Sequence, residues 1–80
     1  MSLMNLGGLY HSIGDDQSYD KAVKAFSGAK EIRGRILGTH HRDYATAVEK
    51  LARVYKSMGL HGKAEPLLAE VQEIQAKQGQ

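Results

Sequence analysis

The segment LGGLYHSIG, residues 6–14, decides the fold because it returns 45 residues later as LARVYKSMG, residues 51–59. A second pair of similar segments follows at an offset of 42 residues: YDKAVKAFSGAKEI, residues 19–32, and HGKAEPLLAEVQEI, residues 61–74. The chain is therefore predicted to contain two copies of one structural unit. The offset falls because the first unit has three extra residues within 15–18, an insertion that we expect in a turn.

Apolar residues in four segments recur at steps of three and four, which is the spacing of one face of an α-helix. No segment alternates between apolar and polar residues over a useful length, so strands are not expected. The apolar stripes predict helices near residues 3–13, 19–36, 43–58 and 61–77. Pro66 falls inside the last of these, which predicts a small kink or a later start there.

Residues with known preferences for helix ends stand at the limits of these segments. Ser18 is expected to be the N-cap of the second helix, and Asp43 or the histidines before it the start of the third. Gly14 and Gly59 suit the left-handed conformation that follows many helices, and Gly38 is expected to end the second helix.

The repeated residues resemble those of tetratricopeptide repeats. In that family a large apolar residue is followed by a small one, an aromatic and a glycine, and then by alanine and an aromatic or leucine on the second helix. The matching residues are Leu6, Gly7, Tyr10, Gly14, Ala22, Phe26 and Ala29 in the first unit, and Leu51, Ala52, Tyr55, Gly59, Ala64, Leu68 and Val71 in the second. The resemblance implies an all-α fold of two tandem helix-turn-helix hairpins, with four antiparallel helices forming a fragment of a right-handed α-solenoid.

The offset of 42 residues and the stretch 31–59 resemble the kinesin-light-chain type of this repeat. The residues that match its usual pattern are Leu37, Gly38, His41, Tyr44 and Ala45. Arg42 stands where that type usually has proline, which leaves the helix start less rigid.

The chain of 80 residues is too short for more than one domain. We therefore expect a single domain, 1–80, with a first repeat at 3–36, a linker at 37–40, a second repeat at 41–77 and a frayed tail at 78–80. A core of this size supplies only about 3–5 kcal/mol of stability. The absence of cysteine excludes disulfides, thiol catalysis and cysteine-based zinc sites.

Composition also bounds the partners and the location. Lys and Arg number 11 and Asp and Glu 9, a net charge of +2 that is no signature of nucleic-acid binding, although an isoelectric point near 9.0 keeps that alternative open. No apolar run approaches the ~18 residues of a membrane span, and the first residues do not resemble a signal peptide. A cytoplasmic protein without a membrane partner is therefore expected.

Several residue groups could suggest chemistry, but their spacing does not support it. The four histidines are His11, His40, His41 and His61. The adjacent pair points in different directions on a helix, so we expect structural or solvated histidines rather than metal ligands. Asp15, Asp16 and Asp20 lack the order of a calcium loop. Ser12, Ser57 and Asp43 lack the context of a catalytic triad. No enzyme activity, cofactor or metal is expected.

The basic row Lys50, Arg53 and Lys56 on the third helix is the one surface pattern that suggests a binding site. The family resemblance implies that the first helix of each hairpin lines a concave surface. The residues expected to line this groove are Asn5, His11, Ser12, Thr46, Glu49, Lys50, Arg53, Lys56 and Ser57. A solvated helix face is the alternative interpretation of the same charges.

The function implied by the resemblance is non-catalytic binding of a peptide or partner helix, acidic in character, in this modestly basic groove. One alternative is a structural fragment of a longer tetratricopeptide array that associates with itself. Helical hairpins bury their apolar faces by stacking on neighbours, and we expect Leu3, Leu9, Leu67 and Ile74 to lack one. Pairing of two chains as a homodimer, or another self-association, would cover them. A second alternative is nucleic-acid binding by a helical repeat.

Overall fold

The computed structural model describes residues 2–78 and contains, within that range, four helices and no strand. The helices are α1 (Leu3–Ile13), α2 (Asp16–Leu37), α3 (Arg42–Ser57) and α4 (His61–Gln78). Helix α1 packs on α2 and α3 packs on α4, while α2 also packs on α3 and joins the two hairpins. The predicted all-α fold of two tandem hairpins is confirmed.

Helix α2 begins earlier than predicted, and its N-cap is Asp15 rather than Ser18. The Asp15 carboxylate accepts a hydrogen bond of 2.7 Å from the backbone N–H of Ser18, which is itself buried inside the helix. Aspartate caps helices at least as well as serine, and here it offers a cap three residues earlier. The three extra residues of the first unit therefore lengthen α2 by nearly one turn instead of enlarging the turn before it.

The Asp15 cap predicts a loss of stability in acid. The bond from the Ser18 backbone holds the pKa of the Asp15 carboxyl below its ordinary value of 3.8. Stability from this group is therefore fully present above that ordinary value and is lost as the pH falls through the lower pKa of the folded chain. Replacing Asp15 with asparagine keeps a capping oxygen, so thermal midpoints measured from pH 5 to pH 2 should fall less steeply than in the wild type. Equal slopes in the two chains would rule out this role for the carboxylate.

The other helix ends follow the predictions closely. Gly14 and Gly59 adopt φ of 80° and 79°, and Gly38 follows the last residue of α2. After α3, the N–H groups of Gly59 and Leu60 donate to the carbonyls of Lys56 and Tyr55 at 2.9 and 2.8 Å. These bonds satisfy carbonyls that would otherwise lack partners at the helix end.

His41 is the N-cap of α3, since its Nδ1 accepts a bond of 3.0 Å from the backbone N–H of Asp43. Helix α4 begins at His61 and runs through Pro66, so the late start considered for it does not occur. Gln78, predicted as the first residue of a frayed tail, is the last residue of α4, and its amide donates to the His40 carbonyl at 2.7 Å; the fraying itself stays a prediction. Residues 79 and 80 lie outside the described range.

Two clusters of buried residues form the core. One, between α3 and α4, contains Tyr44, Ala45, Val48, Val71 and Ile74; the other, between α2 and α3, contains Ala22, Phe26, Leu51 and Val54. Leu67 packs against both clusters. The expectation that Leu67 and Ile74 lie on an uncovered face is therefore wrong, because the apolar stripe of α4 is used against α3. Leu3 and Leu9 remain 37% and 49% exposed, as expected.

Candidate functional site

Helices α1 and α3, the first helices of the two hairpins, flank a cleft of about 520 Å³. The two helices lie side by side because α2 packs on both of them. The residues lining the cleft are Met4, Asn5, Gly8, His11, Ser12, Phe26, Lys50 and Arg53. The cleft therefore has polar and basic walls above an apolar floor.

The cleft brings together five of the nine residues proposed for the groove: Asn5, His11, Ser12, Lys50 and Arg53. The other four do not line it, and two of these lie on its border. Ser57 is bonded to His11 at one end, and Glu49 forms an ion pair with Arg53.

Thr46 and Lys56 are exposed residues of α3 outside the lining of the cleft. The hydroxyl of Thr46 donates to the Arg42 carbonyl of its own helix at 3.1 Å. The basic row predicted from spacing is thus divided, because Lys50 and Arg53 face α1 while Lys56 lies beyond the cleft.

His11 bridges the two walls at one end of the cleft. Its Nε2 lies 2.8 Å from the Ser57 hydroxyl, a hydrogen bond between α1 and α3. The imidazole also meets the ring of Tyr19 edge to face, with ring centres 5.9 Å apart. Asp43 lies at the opposite end of α3 from Ser57, so these residues do not form a triad.

The positive charge in the cleft comes from Lys50 and Arg53, which differ in whether an ion pair already engages them. Arg53 Nη2 lies 3.2 Å from a carboxylate oxygen of Glu49, one helical turn earlier. Lys50 is half-buried and has no ion-pair partner among residues 2–78. An incoming anion therefore finds the unpaired Lys50 ammonium beside a guanidinium that is already paired with the half-buried Glu49.

The sequence places Gly8 on the groove face of α1 but does not single out Met4 and Phe26 as parts of the cleft. A Cβ atom on Gly8 would meet nothing within 4 Å, so this glycine leaves the wall of α1 open. Phe26 reaches the floor because Gly7 has no side chain above its ring. The repeat offset of 45 could have found Met4, since it makes Met4 the counterpart of Glu49, which was predicted for the groove.

No group of three or more His, Asp or Glu side chains that could hold a metal ion occurs in the described part of the chain. Asp15, which might have suggested a calcium loop together with its neighbours, is occupied in capping α2. His41 caps α3 in the same way. Asp15 and His41, two of the residues considered as ligands, thus have structural partners in their own helices.

A second cavity, of about 570 Å³, lies along the C-terminal half of α2 where α3 begins. Its lining residues are Ser27, Lys30, Glu31, Gly34, Arg35, Thr39 and Tyr44. Arg35 and Glu31 pair with each other at 2.8 Å. The Tyr44 hydroxyl donates to Glu70 on α4 at 3.1 Å, and burial together with this carboxylate raises the pKa of the phenol. Three of its lining residues, Glu31, Arg35 and Tyr44, are therefore engaged in contacts within the fold.

Two stacked hairpins whose first helices flank a cleft define a helical-repeat protein. A family model described as tetratricopeptide repeat matches residues 1–77, so the chain belongs to the tetratricopeptide repeat family. Members generally mediate protein–protein interactions and are generally non-catalytic. No curated protein and no solved structure matches the chain significantly. The kinesin-light-chain type of repeat stays a prediction.

Within residues 2–78 no helix is both long enough and apolar enough to cross a bilayer.

Proposed function

We propose that the chain binds an acidic peptide segment of a partner protein in the α1–α3 cleft and performs no catalysis. The observation that carries this proposal is the position of Lys50 and Arg53 beside an apolar floor of Met4 and Phe26. A peptide with carboxylates flanking an apolar side chain complements both features. The segment is extended or helical.

The expected affinity is modest. Exposed ion pairs contribute only about 0.2–1 kcal/mol each, so two basic side chains do not give tight binding. Arg53 can hold a carboxylate through two parallel N–H bonds, whereas Lys50 acts as a point charge. Glu49 competes for Arg53 and lowers its contribution further. An apolar anchor on the floor supplies the remainder, and a micromolar complex, about −8 kcal/mol, is expected.

The charges of Lys50 and Arg53 should make peptide binding depend on salt concentration. Interactions between exposed charges are screened over about 8–10 Å at physiological ionic strength. The association rate with an acidic peptide should therefore fall as sodium chloride rises from 50 to 500 mM, while the dissociation rate changes little. Surface plasmon resonance measures both rates, and an association rate independent of salt would remove Lys50 and Arg53 from the binding site.

The site itself is tested by reversing its charges. A peptide array of acidic segments, each with one central aromatic or leucine, identifies binders of the wild-type chain. The Lys50→Glu/Arg53→Glu variant should bind these peptides at least about tenfold more weakly, because two attractions become repulsions. Circular dichroism should show an unchanged helical signal, since neither side chain is in the buried core.

A matched control separates this effect from net charge. The Arg35→Glu/Lys77→Glu variant changes the charge by the same amount, at two exposed positions outside the cleft. It should bind the peptides nearly as well as the wild type. Equal losses in both variants would show a non-specific charge effect, and no loss in the cleft variant would place the peptide elsewhere; either result overturns the proposed site.

Nucleic-acid binding is not favoured by the structure of residues 2–78. Single-stranded nucleic acids stack their bases on exposed aromatic side chains beside basic residues. All four tyrosines are buried or half-buried, and the one phenylalanine, Phe26, is 1% exposed. The cleft therefore has basic residues but no stacking platform.

A further inference from the structure

The internal repeat reveals which side of α1 is missing a partner. At the offset of 45 residues, Leu3 and Leu9 of α1 correspond to Val48 and Val54 of α3. Both valines are 0% exposed, whereas the two leucines are 37% and 49% exposed. Val48 is covered by α4, whereas Val54 is covered because α2 packs on α3. The side of α1 that carries Leu9 is therefore the side on which a helix equivalent to α2 would lie.

An apolar groove runs between α1 and α2 on this side of the first hairpin. It has a volume of about 400 Å³, and its lining residues are Leu3, Leu6, Tyr10, Lys21, Lys24 and Ala25. The equivalents of Leu6, Tyr10 and Ala25 in the second hairpin are Leu51, Tyr55 and Leu67. All three of those belong to, or pack against, the cluster that Phe26 of α2 completes. The groove is thus an unfilled copy of a site that the chain fills once with its own helix.

We propose that a second copy of the chain fills this groove with its α4, so that the chains associate head to tail. Helix α4 is the repeat counterpart of α2, and it places the half-buried Leu68 where α2 has Phe26. Every copy therefore carries the groove at one end and a helix of the matching pattern at the other.

Charge complementarity favours this arrangement over pairing of α1 with α1. Lys21 and Lys24 are exposed at the groove, and Lys21 Nζ lies 5.3 Å from the centre of the Tyr10 ring. On α4, the exposed Glu65 stands in the repeat position of Val23, which packs against the Phe26 cluster. Docking α4 in the place of α2 brings the Glu65 carboxylate to the side of the groove that carries Lys21 and Lys24, whereas two grooves face to face would bring four lysines together.

An interface between two different surfaces of the same chain has a distinct consequence. A head-to-tail contact leaves one groove and one α4 unused at the ends of every dimer, so further copies can add. Sedimentation velocity of the wild-type chain should show an average mass that rises above the 8.8 kDa of one chain up to about 100 μM and does not level at two chains.

Two variants, each blocking one surface, test the proposal. Leu9→Glu puts a charge in the groove side of α1, and Glu65→Arg/Gln72→Arg makes the outer face of α4 repel Lys21 and Lys24. All three positions are exposed in the single chain, so both variants should retain the helical signal. Each variant alone should sediment as a monomer, and their equimolar mixture should form a dimer, because each supplies the surface that the other lacks.

The mixture decides between the arrangements. A dimer that stops at two chains, formed only on mixing, is the expected result. Dimers formed by the α4 variant alone would show an α1-to-α1 contact and overturn the proposal. A wild-type chain that stays monomeric at every concentration, or a mixture that stays monomeric, would also overturn it. None of these results depends on peptide binding in the α1–α3 cleft.

Discussion

The Gly7→Ala variant is expected to lose about 1–3 kcal/mol of unfolding free energy, because the added methyl group overpacks the core. A Cβ atom at this position would lie 2.7 Å from Cε1 of Phe26 and 2.8 Å from two further ring atoms. The ring is 1% exposed and fixed between α1 and α3, so it has nowhere to move. Alanine also favours the helix over glycine by about 1 kcal/mol, and the lower end of the expected loss allows for this gain.

The neighbouring glycine provides the control. A Cβ atom at Gly8 would meet nothing within 4 Å, so Gly8→Ala gains helix propensity without a clash. Urea unfolding followed by circular dichroism should give a midpoint above the wild type for Gly8→Ala and below it for Gly7→Ala. Midpoints shifted in the same direction would contradict the close approach of Phe26 to α1.

The sequence predicts the fold well because each repeated position has a physical role in packing. Large residues such as Leu51 and Phe26 fill the space between helices, and small ones such as Gly7 and Ala22 let helices approach. The same spacing occurs twice in register, so the two copies support each other. Helix ends marked by glycine, such as Gly14 and Gly59, were predicted for the same reason: φ near 80° suits few other residues.

Where two residues compete for one role, the sequence does not decide between them. Asp15 and Ser18 are both good N-caps, and the structure uses Asp15 because the earlier start also buries Ser18 against the core. An apolar stripe likewise identifies a buried face but not its partner. The stripe therefore leaves Leu67 and Ile74 on an open surface, although α3 covers them in the structure.

The residues that line the cleft show a further limit of predictions based on residue spacing. Lys50, Arg53 and Lys56 are three residues apart, yet steps of three drift around a helix that has 3.6 residues per turn. Only Lys50 and Arg53 therefore face α1. The bond between His11 and Ser57 joins residues 46 positions apart, and no local pattern indicates it.

Replacing Phe26 with alanine is expected to have the largest effect of any single substitution. Phe26 is among the largest fully buried side chains and contacts both hairpins, through Gly7 on α1 and the Leu51–Val54 cluster on α3. Truncating a buried phenylalanine costs about 3–5 kcal/mol. A domain of this size has about that much stability in total. The variant should therefore be largely unfolded at 25 °C, with a weak helical signal and no cooperative melting transition.

The control lies on the same helix. Ile36 is 75% exposed, so Ile36→Ala removes an apolar side chain of α2 without opening a cavity, and its stability should stay within about 0.5 kcal/mol of the wild type. If Phe26→Ala instead melts cooperatively near the wild-type midpoint, the two hairpins do not depend on this ring for their contact. If both variants lose the helical signal, α2 is sensitive along its whole length, and the loss does not report on the Phe26 contacts. Loss of the helical signal in Phe26→Ala alone would show that this one ring holds the two hairpins together and supports the floor of the cleft.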